Sequence, residues 1–450
     1  MSILNNILKT KLNKTSFILD DNEKYSYLDL QTDFTKFEKL KLSSGLIINI
    51  CDNEFGFLSG YISFLNLRFS QLLIDNDISE KYLLNIIKIY KPKYIFAPKQ
   101  KSIFLEKRII FENKNYKLYE LNYKLYPIHK NIALLISTSG STGSKKFVKL
   151  SFNNILDNTK NICKYLKITK FDSTITTMSP AYSYGLSIIN SHLFKNAKIV
   201  LTKKKIVEKK FWEIFKKNNI TNFNGVPFLY EILLKLGLNV FNTKSLKFFT
   251  SAGGMIDNNK LEKIIEFCEK KNFLFFSMYG QTEASPRISY IEYPKNKKKL
   301  GSIGKPIPGG KLSIKKKELI YKGKNIFCGY SENNQDLSKI KNYKYLSTGD
   351  LGFKKKGFFY LTGRKKRIIK IFGYRISLDE LENEILNSGH RCALKGADEK
   401  LIVIYEKKNS MKWILNYLIK QNKIPKGKII FKNVKKIPMT SNNKINYNKL

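Results

Sequence analysis

Apolar positions along this chain follow two rhythms. Short continuous runs bounded by Gly, Pro or polar clusters predict buried strands, and apolar residues three or four apart predict helices. Ser43 to Ile50 holds one such run, opened by Gly45, and Lys93 to Phe96 holds another, after Pro92. Between them Leu83, Leu84, Ile86, Ile87 and Ile89 recur at helical spacing across Glu80 to Tyr90. Strand, helix, strand predicts an α/β sheet. Ile132 to Ile136 is a further buried strand, with a helix expected from about Asn153 to Leu166. Thr221 to Val226, Ser245 to Ser251 and Phe273 to Met278 are strand-like, each with a Gly in or just after its end. From Gly301 to Phe359 turn residues are dense, which predicts short antiparallel strands, and the acidic amphipathic stretch Leu378 to Leu386 predicts a helix. The turn and charge run at Gly363 to Arg367 is the best boundary, dividing the chain into residues 1–363 and 364–450.

No apolar run reaches the ~20 residues of a membrane helix. Phe57 to Ile74 comes nearest, but Asn66, Arg68, Ser70 and Gln71 interrupt it, so a buried strand or helix is expected there. The first residues, Met1-Ser2-Ile3-Leu4-Asn5-Asn6, lack a secretory apolar region, and the expected location is cytoplasmic. The five cysteines are scattered and never form a C-x-x-C pair, and the three histidines lie far apart, so neither a disulfide framework nor a zinc site is expected. The formal net charge is +46. One reading of it is attraction to an anionic partner; the other is a coding bias toward Lys, Asn and Ile. The lysines fall in short runs without interleaved aromatics, and no zinc-finger or RRM-type signature is present, so no nucleic-acid partner is expected.

Four local motifs carry candidate chemistry. Thr138-Ser139-Gly140-Ser141-Thr142-Gly143-Ser144-Lys145-Lys146 follows a strand; its glycines permit tight turning, its hydroxyls and N–H groups suit phosphate oxygens, and Lys146 adds charge. It does not fit the Walker A pattern. Tyr279-Gly280-Gln281-Thr282-Glu283 places an aromatic ring and a carboxylate just after a strand, a place for a base and for Mg²⁺. Ser347-Thr348-Gly349-Asp350, with Gly363-Arg364 beyond, offers a carboxylate to ribose hydroxyls. Pro438 to Lys444 ends in a lysine. Taken singly, each also reads as a solvated polar turn.

In this order and spacing the motifs resemble the adenylate-forming superfamily of acyl-CoA synthetases, peptide-synthetase adenylation domains and luciferases. The resemblance runs from Tyr25-Ser26-Tyr27-Leu28-Asp29-Leu30 to Leu450 and includes Ser251-Ala252-Gly253-Gly254, Gly301 to Pro306, Gly329-Tyr330 and Gly373-Tyr374-Arg375-Ile376. It implies a large N-terminal domain of α/β layers with a small β-barrel-like segment, then a small mobile α+β lid. It implies ATP-dependent activation of a fatty or other carboxylic acid to acyl-AMP, then transfer to CoA or to the phosphopantetheine of an acidic acyl carrier protein. By that resemblance Lys444 bridges carboxylate and α-phosphate, Thr282 contacts the α-phosphate, and Thr142 and Glu283 serve Mg²⁺. Tyr279, Gly280, Gly253 and Gly254 line the adenine site, and Asp350 and Arg364 hold the ribose. Lys366 is the hinge and Gly373 lines the thiol tunnel. Tyr182, Tyr184 and Gly185 belong to the acid pocket. The chain departs from the family pattern at Lys145 and Phe147, which flank the loop lysine where Pro and Gly are usual, and at Phe152 and Asn443. Gly185 stands where amino-acid-activating relatives usually have Asp, which points to an acyl or aryl acid. An amino-acid-activating enzyme and a silent, basic binding module are the alternatives.

Overall fold

The computed structural model describes residues 14–450 apart from 105–106, 114, 138–145, 372–373, 398, 423, 441–443 and 448. Strands β1 (Leu46–Cys51), β2 (Ser70–Asp75), β3 (Tyr94–Pro98), β4 (Ile132–Ser137) and β5 (Phe147–Ser151) lie in an eight-stranded sheet. β3, β1, β2 and β4 run parallel, and β5 returns antiparallel to β4. Strands covered on both faces become continuous apolar runs, which is why Leu46 to Cys51 is buried at every position.

A second sheet holds thirteen strands. Its parallel part includes β6 (Ser173–Ile175), β7 (Lys198–Val200), β8 (Asn222–Gly225), β9 (Phe248–Ser251) and β10 (Leu274–Tyr279). The turn-rich segment continues it with antiparallel neighbours β11 (Ser289–Tyr293), β12 (Ser302–Pro306), β13 (Leu346–Lys355) and β14 (Phe358–Arg364).

The apolar stretch at 57–74 resolves into a helix followed by a strand. Helix α1 (Phe55–Asn66) is buried on all sides, the chain turns at Arg68 with φ 63°, and β2 follows. A helix buried all round is apolar all round, so its pattern blurs into the next strand. Four further helices matter here: α2 (Glu80–Tyr90), α3 (Phe152–Leu166), α4 (Ser183–Phe194) and α5 (Asn258–Lys271). One hydrophobic cluster joins α1 and α4 to residues of both sheets, with Tyr61, Leu193, Leu73 and Ile199 among its members. Each such fully buried side chain contributes about 1.5–3 kcal/mol relative to exposure. Within that apolar layer the Tyr61 hydroxyl donates to Asn190 Oδ1 at 3.0 Å, tying α1 to α4. Helix α3 starts with a reciprocal cap, in which Asn154 N donates to Ser151 Oγ at 3.1 Å and Ser151 N to Asn154 Oδ1 at 2.9 Å.

Beyond β14 the chain builds a small α+β unit. β15 (Ile368–Ile371) and β16 (Tyr374–Ser377) form a hairpin, and helix α6 (Leu378–Asn387) follows. β17 (Cys392–Ala397), β18 (Lys400–Tyr405) and β19 (Ile429–Asn433) form a three-stranded sheet, with helix α7 (Lys408–Lys420) between β18 and β19. Ile369, Leu381, Ile385, Leu401, Ile414 and Leu418 close a hydrophobic cluster of their own there. The architecture is therefore α/β, with a large N-terminal unit and a small C-terminal one. All five cysteines are buried and unpaired, and among the described residues no helix is long and apolar enough to cross a membrane.

Candidate active site

Parallel strands present their carboxyl ends on one edge of a sheet, and loops leaving that edge are where open α/β sheets bind ligands. Register places Gly225 beside Ser251 and Ser251 beside Ser277, so the segments after β8, β9 and β10 emerge together. Gly253 takes φ +89°, and a Cβ on it would lie 2.5 Å from the Tyr182 hydroxyl. Gly280 is tighter: a Cβ there would lie 1.8 Å from the Pro286 carbonyl oxygen. Backbone cannot yield as a flexible side chain can. Gly280→Ala is therefore expected to lower unfolding free energy by about 3 kcal/mol, at the upper end of overpacking costs. Urea denaturation of the two proteins checks it, and an unchanged midpoint would contradict the packing described.

From the end of β10, Tyr279 reaches Asp350. Its hydroxyl donates to Asp350 Oδ2 at 2.5 Å, while Arg364 Nε donates to Asp350 Oδ1 at 3.1 Å. The β13–β14 register sets Asp350 opposite Arg364, which explains why residues fourteen apart meet. Asp350 is buried, yet each carboxylate oxygen keeps a lone pair for another donor. The Tyr279 phenol is held well above its ordinary pKa by burial and then by the Asp350 charge, so it stays a donor. Gly349, with φ +74°, turns the chain between Thr348 and Asp350.

Lys444 comes to the same place from the far end of the chain. Its pKa is pushed down to about 8, first by burial and then by the Arg364 charge, against the pull of Asp350. Thr440 N donates to the Lys444 carbonyl at 2.7 Å, and Lys444 N donates to Thr440 Oγ1 at 3.1 Å. The tail is anchored three residues on. Arg367 donates to both Glu382 oxygens, at 2.9 and 2.8 Å, and to the Tyr447 hydroxyl at 2.8 Å, and its guanidinium lies 3.9 Å from the Tyr447 ring centroid. Nothing local in the sequence marks Arg367 as that anchor; it reads as one more residue of a charge run.

Glu283 accepts from the Tyr330 hydroxyl at 2.8 Å, and the Lys146 ammonium sits 3.8 Å from the Tyr330 ring centroid. Lys146, Tyr330 and Glu283 are thus gathered from three segments. Tyr330 stands out in the sequence only as part of a Gly-Tyr turn. The Thr282 hydroxyl lies 3.2 Å from Ser183 Oγ, at the start of α4. Thr138, Ser139, Gly140, Ser141, Thr142, Gly143 and Gly373 lie outside the described residues. The loop residues are flanked by the paired Ser137 and Phe147. Lys366 lies in the single 3-10 turn Lys365–Arg367 after β14. Gly254 follows Gly253, its Cβ position 3.3 Å from Pro227.

In the expected acid pocket, Tyr184 is buried and its hydroxyl contacts Thr250 Oγ1 at 2.7 Å. A Cβ at Gly185 would lie 2.5 Å from the Ser179 carbonyl oxygen, so no carboxylate-bearing side chain fits at that position. Ser187, which no motif marks, and Arg287, the last residue of the acyl-type segment Tyr279 to Arg287, also belong to this region; Arg287 Nη2 donates to Ser187 Oγ at 3.1 Å.

The AMP-binding enzyme family matches residues 87–330, more than half of the chain. The chain belongs to that family. This AMP-binding protein is 30% identical over 350 residues to an oxalate–CoA ligase of Saccharomyces cerevisiae, covering 70% of this chain and 62% of the relative. It is 28% identical over 302 residues to a long-chain-fatty-acid–CoA ligase of Bacillus subtilis, covering 62% and 53%. It is 22% identical over 341 residues to a D-alanine–D-alanyl carrier protein ligase of Staphylococcus epidermidis, covering 70% and 68%. The alignments with the first two relatives thus take in only 62% and 53% of those proteins' own lengths. In fold it is similar to the o-succinylbenzoate CoA synthetase of Bacillus subtilis bound to its acyl-adenylate, with TM-score 0.78 at 19% identity over 100% of this chain and 97% of that one. ATP-bound MatB from Rhodopseudomonas palustris gives TM-score 0.79 at 18% identity, over 100% and 98%.

Proposed function

We propose that this AMP-binding protein activates a carboxylic acid with Mg·ATP as an acyl-AMP and passes the acyl group to a thiol. The observation that carries this reading is the meeting of Tyr279, Asp350, Arg364 and Lys444 at one point. Asp350, with its two remaining lone pairs, accepts from the ribose hydroxyls while Tyr279 and Arg364 hold it in place. The glycine at 253 lets the backbone turn with φ +89° close under the Tyr182 hydroxyl, and by the family resemblance this turn flanks the adenine.

A carboxylate oxygen attacks the α-phosphorus, a P–O bond forms, and the bond to pyrophosphate breaks. Little covalent work falls to the protein, so orientation and charge do most of the catalysis. The Lys444 ammonium faces both the carboxylate and the α-phosphate, and Thr282 donates to the phosphate. Among the described residues no three acidic, His or Cys side chains are grouped. Mg²⁺ commonly takes one or two carboxylates and otherwise phosphate oxygens and water. Glu283, oriented by Tyr330, would be that carboxylate, and by the family resemblance Thr142 would be the second protein group to serve the ion. Bound there, the ion offsets charge on the phosphate oxygens.

In the second step the thiol sulfur attacks the acyl carbon and AMP leaves. The small unit, residues 364–450, turns about Lys366 and brings the Gly373 loop to the thiol channel; the family resemblance supports this. CoA is the first acceptor to test. A carrier protein is the second reading, supported by the basic C-terminal segment and by likeness to a carrier-protein ligase. The relatives' acids include oxalate, long-chain fatty acids and D-alanine, so fatty acid metabolism is only one of the pathways in range.

The test is pyrophosphate release with Mg·ATP across a panel of carboxylic and amino acids, with and without CoA. Release that one acid class stimulates and CoA raises is the expected result. An acyl-AMP that CoA cannot discharge points to the carrier. No release with any acid, in a protein that binds ATP, would overturn the proposal in favour of a silent binding module.

A further inference from the structure

The Lys444 ammonium stands where two effects oppose it. Burial disfavours its charge and Arg364 repels it, with Asp350 pulling the other way. A side chain as flexible as lysine stays in such a place only if its backbone is held there. That backbone is a short hairpin: Met439 bridges Ile445, and Asn446 N donates to the Pro438 carbonyl at 2.8 Å. A lone hairpin is marginally stable in water. Met439, Ile445 and Tyr447 pack against Ala393, Ile404 and Ile437, but apolar contact is non-directional and does not fix a lysine to within an ångström. A directional hold comes from Tyr447, three residues on and at most about 11 Å of chain from Lys444.

Tyr447 sits in a polar clamp. Its hydroxyl accepts from Arg367 Nη1 at 2.8 Å and donates to Glu382 Oε2 at 2.5 Å, and its ring lies under the guanidinium. The same guanidinium donates to both Glu382 oxygens, to Asp379, and to the Leu394 carbonyl at 2.8 Å. Asp379 and Glu382 stand three apart on α6 and so share one face. One planar fork thus joins the turn after β14, helix α6, strand β17 and the tail, a geometry that a lysine ammonium lacks. Arg367 directly follows Lys366, the hinge of the proposed reaction, and every partner of the clamp lies beyond it. Asp350 and Arg364, which Lys444 meets, lie before it. The clamp therefore ties the hairpin to the unit that turns, so Lys444 travels with that unit as one body.

We infer that Tyr447 is a positioning residue for the adenylation step: held by Arg367 and Glu382, it sets where the Lys444 ammonium stands. This rests on the ligase reading proposed above. The test compares Tyr447→Phe and Tyr447→Leu with the wild type, using the acid that serves the wild type best. Tyr447→Leu should slow the burst of acyl-AMP at least about 10-fold, since a misplacement of about 1 Å can cost about 100-fold. Its ATP affinity should stay within about twofold. Tyr447→Phe keeps the ring and should lose less. In the Lys444→Ala background Tyr447→Leu should cost under about twofold, because a residue that acts only through Lys444 has nothing left to position. Leucine retains the apolar contacts of the tail; should that variant still fail to fold, Tyr447→Phe carries the same comparisons. A second measurement needs no turnover: trace acetylation of Lys444 by acetic anhydride over a range of pH, read by mass spectrometry. The amine should titrate near about 8 in the wild type and move up toward 10.5 in the variants. In an active protein, an unchanged burst, an equal loss in the Lys444→Ala background or an unchanged labelling profile would overturn the inference and leave the ligase reading standing. Silence of the wild type with every acid would overturn the ligase reading and the catalytic use of the clamp, while a shifted labelling profile would still show that Tyr447 seats Lys444.

Discussion

Lys444→Ala is expected to lower acyl-adenylate formation by at least about 100-fold and to leave ATP affinity within about threefold, because in the proposed reaction its ammonium stabilises charge that develops on the way to the transition state. Burst measurement of acyl-AMP, with separate titration of ATP, reads the two effects. Normal adenylation by the variant would remove Lys444 from the proposed chemistry. The same residue predicts a pH limb. Its pKa falls from 10.5 to about 8, with burial the largest cause. The protonated form acts on phosphate, so adenylation by the wild type declines as pH rises through about 8, while the residual rate of Lys444→Ala lacks that limb. Stability runs the other way. Between about 8 and 10.5 the folded state holds fewer protons at this site than the unfolded chain, so the penalty for burying charged Lys444 is full below about 8 and is relieved as pH rises.

Asp350→Asn raises the KM for ATP by at least about 30-fold, with a smaller change in kcat. The carboxylate accepts from Tyr279 and Arg364 and has two lone pairs left for ribose, and hydrogen bonds to a charged acceptor are worth about 1.5–3 kcal/mol each. An amide keeps the volume, presents one acceptor and turns donors toward Arg364. Initial rates over a range of ATP, with calorimetric titration of Mg·ATP, give the comparison. An unchanged KM would mean that ATP does not use this carboxylate.

Much of the site is legible along the chain because its motifs are local. Tyr279 to Glu283 and Thr348 to Asp350 each sit where a strand or turn fixes a few neighbours: the Pro286 carbonyl, six residues on, leaves room only for glycine at 280, and a positive φ favours glycine at 349. The helix at Glu80–Tyr90 is readable for the same reason: one face is buried and one is wet, so the apolar period survives. Phe55 to Asp75 marks where that reading stops, since α1 is buried all round and no period separates it from β2.

What the sequence determined by itself is the order of elements and the glycine turns, set by interactions within a few positions, together with the motifs that nominate the candidate site residues. The tertiary structure alone decided that Lys444 shares its surroundings with Asp350 and Arg364, that Tyr330 orients Glu283, and that Arg287 is buried, with its Nε left without a hydrogen-bond partner among the described residues. Those are properties of distance and dielectric between segments far apart in the chain. An arginine in a string of letters is a solvated cation until packing removes the water around it.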